Sequence, residues 1–247
     1  MSPKKSSLHA RFDIVVPPSL RLSFAVVIAS LVALLSASSV EAAGQRCSAP
    51  ASDAIVKALA SQAPRLKADV LRMALDASHC AAQEGLVKRR ELLTVIDYSL
   101  PSTEPRMWVF DVKLHKLLFE EHVAHGVNSG DNLTTRFSNI NGSRQTSLGL
   151  YVTQETYIGQ NGYSLRLQGL DRGFNDLARA RAIVMHGAPY VNPEAARSQG
   201  RLGRSWGCPA VRTEVARTMI DTVKDGTPIF AYYPDDRWLS SSKYLVR

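Results

Sequence analysis

The sequence predicts a mainly β domain with a few helices, a sandwich or small barrel, preceded by a small N-terminal helical segment. Three observations carry this reading. Apolar residues recur at helical spacing between Ser52 and Gly85, the pattern changes after Lys88-Arg89-Arg90 to short β-rich runs, and one helical pattern follows a glycine-hinged turn around Cys208.

Residues 1–42 read as an export signal. Lys4, Lys5, Arg11 and Arg21 precede the apolar run 22–35, and Val40-Glu41-Ala42 offers small residues where a signal peptidase cuts. An uncleaved anchor is the alternative, because residues 22–40 approach the ~18 to 20 needed to span a bilayer. Ser30, Ser36, Ser38 and Ser39 favour cleavage, and either way the remainder is placed in the periplasm or cell envelope; nothing after residue 42 is apolar enough to span again.

Residues 43–90 form the helical segment. Ile55, Val56 and Leu59, then Leu66, Val70, Met73, Ala74 and Ala77, predict two helices broken at Pro64, whose ring cannot continue one. The main domain is placed at 91–240, with strands at 92–98, 107–112, 116–123, 149–157, 164–167, 182–185 and 229–233. Glycine, asparagine and serine between 126 and 149 mark a loop. Residues 213–224 predict a helix with Val215, Met219, Ile220 and Val223 on one side, and 241–247 are a tail.

A chain of 247 residues with formal charge +8 suits an anionic partner, and the excess persists as +6 once the four basic and two acidic residues of 1–42 are set aside. Arginines crowd the C-terminal half, but without a basic run or interleaved aromatics, so no nucleic-acid partner is expected. Cell-wall carboxylates suit an exported chain better. A membrane contact is expected only through an uncleaved signal.

There are three cysteines, Cys47, Cys80 and Cys208. A Cys47–Cys80 bridge would close a loop of roughly 30 residues and add about 3 to 4 kcal/mol, leaving Cys208 free; two separate thiols remain the alternative if the helices hold them more than about 7 Å apart. Cys208 stands in Gly203-Arg204-Ser205-Trp206-Gly207-Cys208-Pro209-Ala210, and His186-Gly187 follows an apolar run upstream. A thiol reacts as thiolate and is mostly protonated at neutral pH, so a base is needed, and His186 is the best placed. His122 and His125 with Cys208 could suggest zinc, but His-Glu-x-x-His and paired Cys-x-x-Cys spacings are absent, so no metal and no cofactor is expected.

The chain resembles the murein L,D-transpeptidase (YkuD-type) catalytic domain family, in the subgroup whose turn reads Gly-Arg-Ser-Trp-Gly-Cys-Pro-Ala. The resemblance covers about residues 91–235 and is carried by Val123-Ala124-His125-Gly126, Ser147-Leu148-Gly149-Leu150-Tyr151, the stretch 162–170, Gly173-Phe174-Asn175, the stretch 181–188 and the Cys208 turn. It implies a β-sandwich-like fold and, as substrate, peptidoglycan stem peptides.

The same resemblance implies residue roles. Cys208 would be the nucleophile and His186 the base that holds it as thiolate, with the Gly187 carbonyl fixing the imidazole tautomer. Backbone N–H groups of Gly207 and Cys208 would bind the oxyanion, and Ser205 matches the Ser/Thr of the family turn. Arg204, Arg201, Arg166 and Arg172 are candidates for stem carboxylates, with His125 and Tyr151 beside them, though a structural hydrogen-bonding role suits His125 equally. Trp206 departs from the family turn, where a histidine stands, and residues 190–202 are expected to form a flap over the site. A wall hydrolase on the same site and a non-catalytic wall-binding protein are the other classes consistent with these residues.

Overall fold

The computed structural model describes residues 51–245; the export signal and Cys47 lie outside them. No helix among the described residues is long and apolar enough to cross a membrane.

Two helices come first. In α1 (Asp53–Ala60) the Ser52 side chain accepts from the Ile55 N–H, and in α2 (Ala68–Gln83) Val70, Leu71, Ala74, Leu75 and Ala77 share one buried face. Cys80 of α2 is disulfide-bonded. Eight strands follow, β1 (Leu92–Asp97), β2 (Met107–Asp111), β3 (Lys116–Glu121), β4 (Gly149–Gly159), β5 (Gly162–Gly169), β6 (Val184–Gly187), β7 (Ala210–Val211) and β8 (Pro228–Tyr232). They form one sheet in the order β3-β2-β1-β8-β4-β5-β6-β7. The β1/β8 and β6/β7 pairs are parallel and the others antiparallel.

The sheet nearly closes into a barrel. Beyond β3, the Ala124 N–H donates to Ala210 O of β7 at 2.8 Å, and Arg212 grips Glu121 at 2.6 and 2.9 Å. Both faces are apolar because successive strand side chains point to opposite sides. Leu93, Val95, Trp108, Phe110, Leu150 and Phe230 face outward onto α1 and α2, whereas Ile96, Met107, Val109, Tyr151, Ile229 and Ala231 face the inner core. That double burial is why the strands read as short apolar runs rather than half-polar alternations.

The inner core is completed by α4 (Thr213–Val223), which buries Ala216, Met219, Ile220 and Val223. Besides the two-residue β7, two helices went unanticipated: α3 (Pro193–Gln199) and α5 (Asp236–Ser241). Asn192 caps α3 by accepting from the Glu194 and Ala195 N–H groups at 2.9 and 3.0 Å. In α5, Trp238 is fully buried against Phe230, and Tyr244 beyond the helix is buried in the same cluster.

Candidate active site

The parallel pairing of β6 with β7 sets the site. His186 pairs with Ala210, so Cys208, two residues before Ala210, lies beside Val184, two residues before His186. That separation is one strand repeat, about 7 Å. The Cys208 sulfur donates to Ala182 O at 3.8 Å and accepts from the Val184 N–H, and it makes no hydrogen bond to His186. The His186 ring is almost fully buried, with Nδ1 3.0 Å from Gly187 O. A carbonyl only accepts, so Nδ1 carries the proton and Nε2 is left with its lone pair. Gly187 must be glycine here, because a Cβ would meet the Ala216 Cβ of α4 at 2.8 Å.

Burial pushes the Cys208 thiol up, against the lowering by the Val184 N–H and the Arg181 charge. It pushes the His186 imidazole down, against the Gly187 hydrogen bond. Both shifts favour the uncharged forms. At rest these two directions disfavour a thiolate–imidazolium pair.

Within the turn, Ser205 Oγ accepts from the Gly207 N–H at 3.0 Å and donates to Cys208 O at 2.7 Å. The Gly207 N–H is thus already used, and its assignment to an oxyanion site is corrected. Among the described residues no acceptor faces the Cys208 N–H, which leaves it free for that role. Gly207 holds φ +122, and a Cβ there would meet Gln145 O at 2.7 Å. Ser205 also stitches the turn to the preceding loop, its N–H donating to His125 O at 2.9 Å and its O accepting from Val127 N at 2.8 Å.

The expected substrate-binding residues are mostly consumed by the fold. His125 has no exposed surface; Arg106 donates to its Nδ1 at 2.8 Å and its Nε2 donates to Gly130 O at 3.2 Å. Desolvation and the Arg106 charge hold it down to about 4, so it is a scaffold residue. Tyr151 is buried in the inner core, its hydroxyl donating to Ser147 O at 2.9 Å. Arg204 clamps the 127–131 loop through Gly130 O at 2.8 Å and Asp131 at 2.9 Å, and Arg201 leans on the same carboxylate. Arg166 pairs with Glu155 at 3.2 Å and stacks on Tyr157. Arg172 is exposed in the turn beside Asp171, which binds the start of β4 and Ser242 rather than the Cys208 turn. Five of these six side chains are thus bonded within the fold and Arg172 is exposed, and the charge that acts on Cys208 is that of Arg181.

Two residues near the sulfur escaped the sequence reading. Arg181 donates to Ser138 O and Gln145 O, each at 2.7 Å, to Ser143 Oγ at 3.1 Å and to Ser147 Oγ, and its charge acts on Cys208. Tyr190, at the base of the flap, feels the same sulfur; burial first and then Cys208 push its phenol up to about 12. Arg181 opens the 181–188 stretch, and that adjacency was the available signal. The flap itself is anchored: Val191, Ala196 and Leu202 bury against Ala124, Ala188 and Ala210. A cleft of about 400 Å³ opens between the flap and the start of α4, lined by Asn192, Arg197, Arg212 and Glu214 among others; Cys208 does not line it. Among the described residues no cluster of three or more His, Cys, Asp or Glu side chains is placed to hold a metal ion.

A nearly closed, mainly β sheet brings a free thiol, just before β7, beside the parallel strand β6 that carries a buried imidazole, the pair of groups that cysteine-based acyl chemistry uses. The chain belongs to the L,D-transpeptidase catalytic domain family (YkuD_2), which residues 62–232 match. This is a family of cysteine L,D-transpeptidases acting on peptidoglycan stem peptides. Among solved structures, an L,D-transpeptidase from Mycobacterium smegmatis is similar at 16% identity and a TM-score of 0.36, over 58% of this chain and 59% of that one. L,D-transpeptidase 1 from Mycobacterium tuberculosis is similar at 15% identity and 0.31, over 58% and 62%. L,D-transpeptidase 3 from the same organism, solved with a faropenem-derived adduct, is similar at 16% identity and 0.33, over 58% and 60%. The chain thus spans about three fifths of the length of these solved relatives. No curated protein sequence matches it.

Proposed function

We propose that this chain is an exported L,D-transpeptidase that crosslinks peptidoglycan stems through Cys208. One observation carries the proposal: in a chain of this family, the free thiol is bonded to the Val184 N–H, two residues before an imidazole whose Nδ1 is tied to Gly187 O, leaving Nε2 as the base. Proton transfer requires the sulfur to leave Ala182 O and turn toward Nε2 as the donor stem enters. The sulfur then attacks the carbonyl carbon of the third stem residue while its proton passes to His186. The Cys208 N–H donates to the developing oxyanion, an interaction worth about 3 to 4 kcal/mol in comparable sites. Collapse breaks the C–N bond to D-Ala, whose amine takes the proton from His186, and a thioester remains. The amine of a second stem attacks the thioester, loses its proton through His186 and releases the thiol, giving a 3-3 crosslink.

Export through residues 1–42 brings the enzyme to this substrate. The test is mass spectrometry of purified stem tetrapeptides incubated with the protein, wild type beside Cys208→Ala. Loss of D-Ala with new crosslinked dimers, absent from the variant, is the expected result. Tripeptide alone would make the enzyme an L,D-carboxypeptidase, and no conversion would leave a wall-binding protein.

A further inference from the structure

Trp206 is 70% exposed two residues before the thiol, so its indole is not explained by the core. Arg144 reaches over from the 138–147 loop and lays its guanidinium on the ring, 4.4 Å from the centroid. Its backbone holds φ +54, a left-handed conformation that a non-glycine residue keeps only when its surroundings impose it. Here the surroundings do so. The Asn128 N–H donates to Arg144 O at 3.2 Å, that oxygen sits hard against Gly126, and the flanking Ser143 and Gln145 are both bonded to Arg181.

The guanidiniums of Arg106, Arg181, Arg204 and Arg212, by contrast, are spent on carbonyls, hydroxyls, an imidazole or carboxylates of the fold. That of Arg144 makes no hydrogen bond or ion pair among the described residues. The indole fixes its plane and covers one face, while the N–H edge stays open. A planar fork of this kind matches a carboxylate with two parallel hydrogen bonds. Trp206 lies at most about 7 Å along the chain from Cys208, the reach of a carboxylate on a residue next to the scissile carbonyl.

We propose that Arg144 and Trp206 form the recognition site for a free carboxylate of the donor stem, with the guanidinium as the bidentate donor and the indole as its platform and the wall along which the stem lies. This rests on the transpeptidase reading and goes beyond it by naming which arginine selects the substrate.

The test uses the full chain as Cys208→Ala, titrated with a stem tetrapeptide and with the same peptide carrying amides in place of all its carboxylates. Tryptophan emission is the readout, since Trp108 and Trp238 have no exposed surface. The free-acid peptide is expected to shift the emission and to bind about 10- to 100-fold more tightly than the amide. Arg144→Gly suits φ +54 and removes the guanidinium; it should abolish that preference while thermal stability and Cys208 alkylation in an otherwise wild-type chain stay unchanged. Equal affinity of Cys208→Ala for acid and amide, with the wild-type chain converting stems, would overturn this inference alone, as would a preference that survives Arg144→Gly. No binding by Cys208→Ala together with no conversion by the wild-type chain would overturn the transpeptidase reading with it.

Discussion

Arg181 donates to Gln145 O at 2.7 Å, and the same carbonyl oxygen is where a Cβ on Gly207 would come within 2.7 Å. One guanidinium thus holds the 138–147 loop at the distance that lets the glycine beside Cys208 fit, and its charge lies close enough to lower the Cys208 thiol.

Separating these two effects is straightforward. Arg181→Met is expected to cost about 1 to 3 kcal/mol of stability through the buried acceptors left unpaired and to move the pH midpoint of Cys208 alkylation upward. Arg181→Lys keeps the charge without the fork, so it should lose stability but keep the midpoint. Equal midpoints in Met and Lys variants would show that the charge does not act on the sulfur.

Gly207→Ala places a side chain at φ +122 against the Gln145 carbonyl. A loss of about 1 to 3 kcal/mol and an activity reduced by orders of magnitude are expected, measured by thermal unfolding and by stem-peptide turnover. Unchanged turnover would mean that the turn relaxes without moving the thiol.

Burial raises Cys208 and lowers His186, so the thiolate is scarce at neutral pH. The rate of Cys208 alkylation by iodoacetamide should still be climbing above about pH 8.5, the ordinary cysteine value. A plateau reached by pH 7 would instead reveal a preformed ion pair. His186→Ala should leave this alkylation profile nearly unchanged while abolishing thioester formation, because the imidazole acts as a base during attack rather than as a standing counter-ion.

His125 supplies an acid-sensitive term in stability. Its pKa lies at about 4 in the fold against 6.5 for the free imidazole, so between those values the unfolded chain binds the proton and the folded chain does not. The stability that neutral His125 contributes is complete above about pH 6.5 and is lost progressively as pH falls toward 4, by up to about 3 kcal/mol. Denaturation of wild type and His125→Gln across this window checks it: the wild-type slope should be the steeper.

Much of the fold was legible because its signals are local. The break between α1 and α2 at Pro64, the strands from β1 to β6, β8 and the span of α4 follow from period and composition, and the double-sided burial of the sheet made the apolar runs conspicuous. Strand β7 is two residues long and exists only through its pairing with β6 and the Ala124 bridge, so no period announces it. Helix α3 is short, and its caps Asn192 and Gly200 mark it more clearly than any apolar stripe. The buried Trp238 and Tyr244 drew no strand or helix reading because α5 is too short to show a period and Tyr244 meets Glu84, at the end of α2, only through the fold.

By itself, the sequence determined the chemistry on offer: a thiol in a glycine-hinged turn, an imidazole followed by glycine, and the family to which both belong. Only the tertiary structure decided which groups remain available for it. Arg204, Arg166 and His125 look as apt for a carboxylate as Arg144 does in the linear chain, yet the first three are bonded to Asp131, Glu155 and Arg106 and the last to nothing but an indole face. The Gly207 and Cys208 N–H groups are likewise equivalent until Ser205 Oγ takes one of them. The physical reason is that residue type and spacing record local conformation and reactivity, whereas a donor is free or spent according to acceptors that the fold brings from elsewhere in the chain.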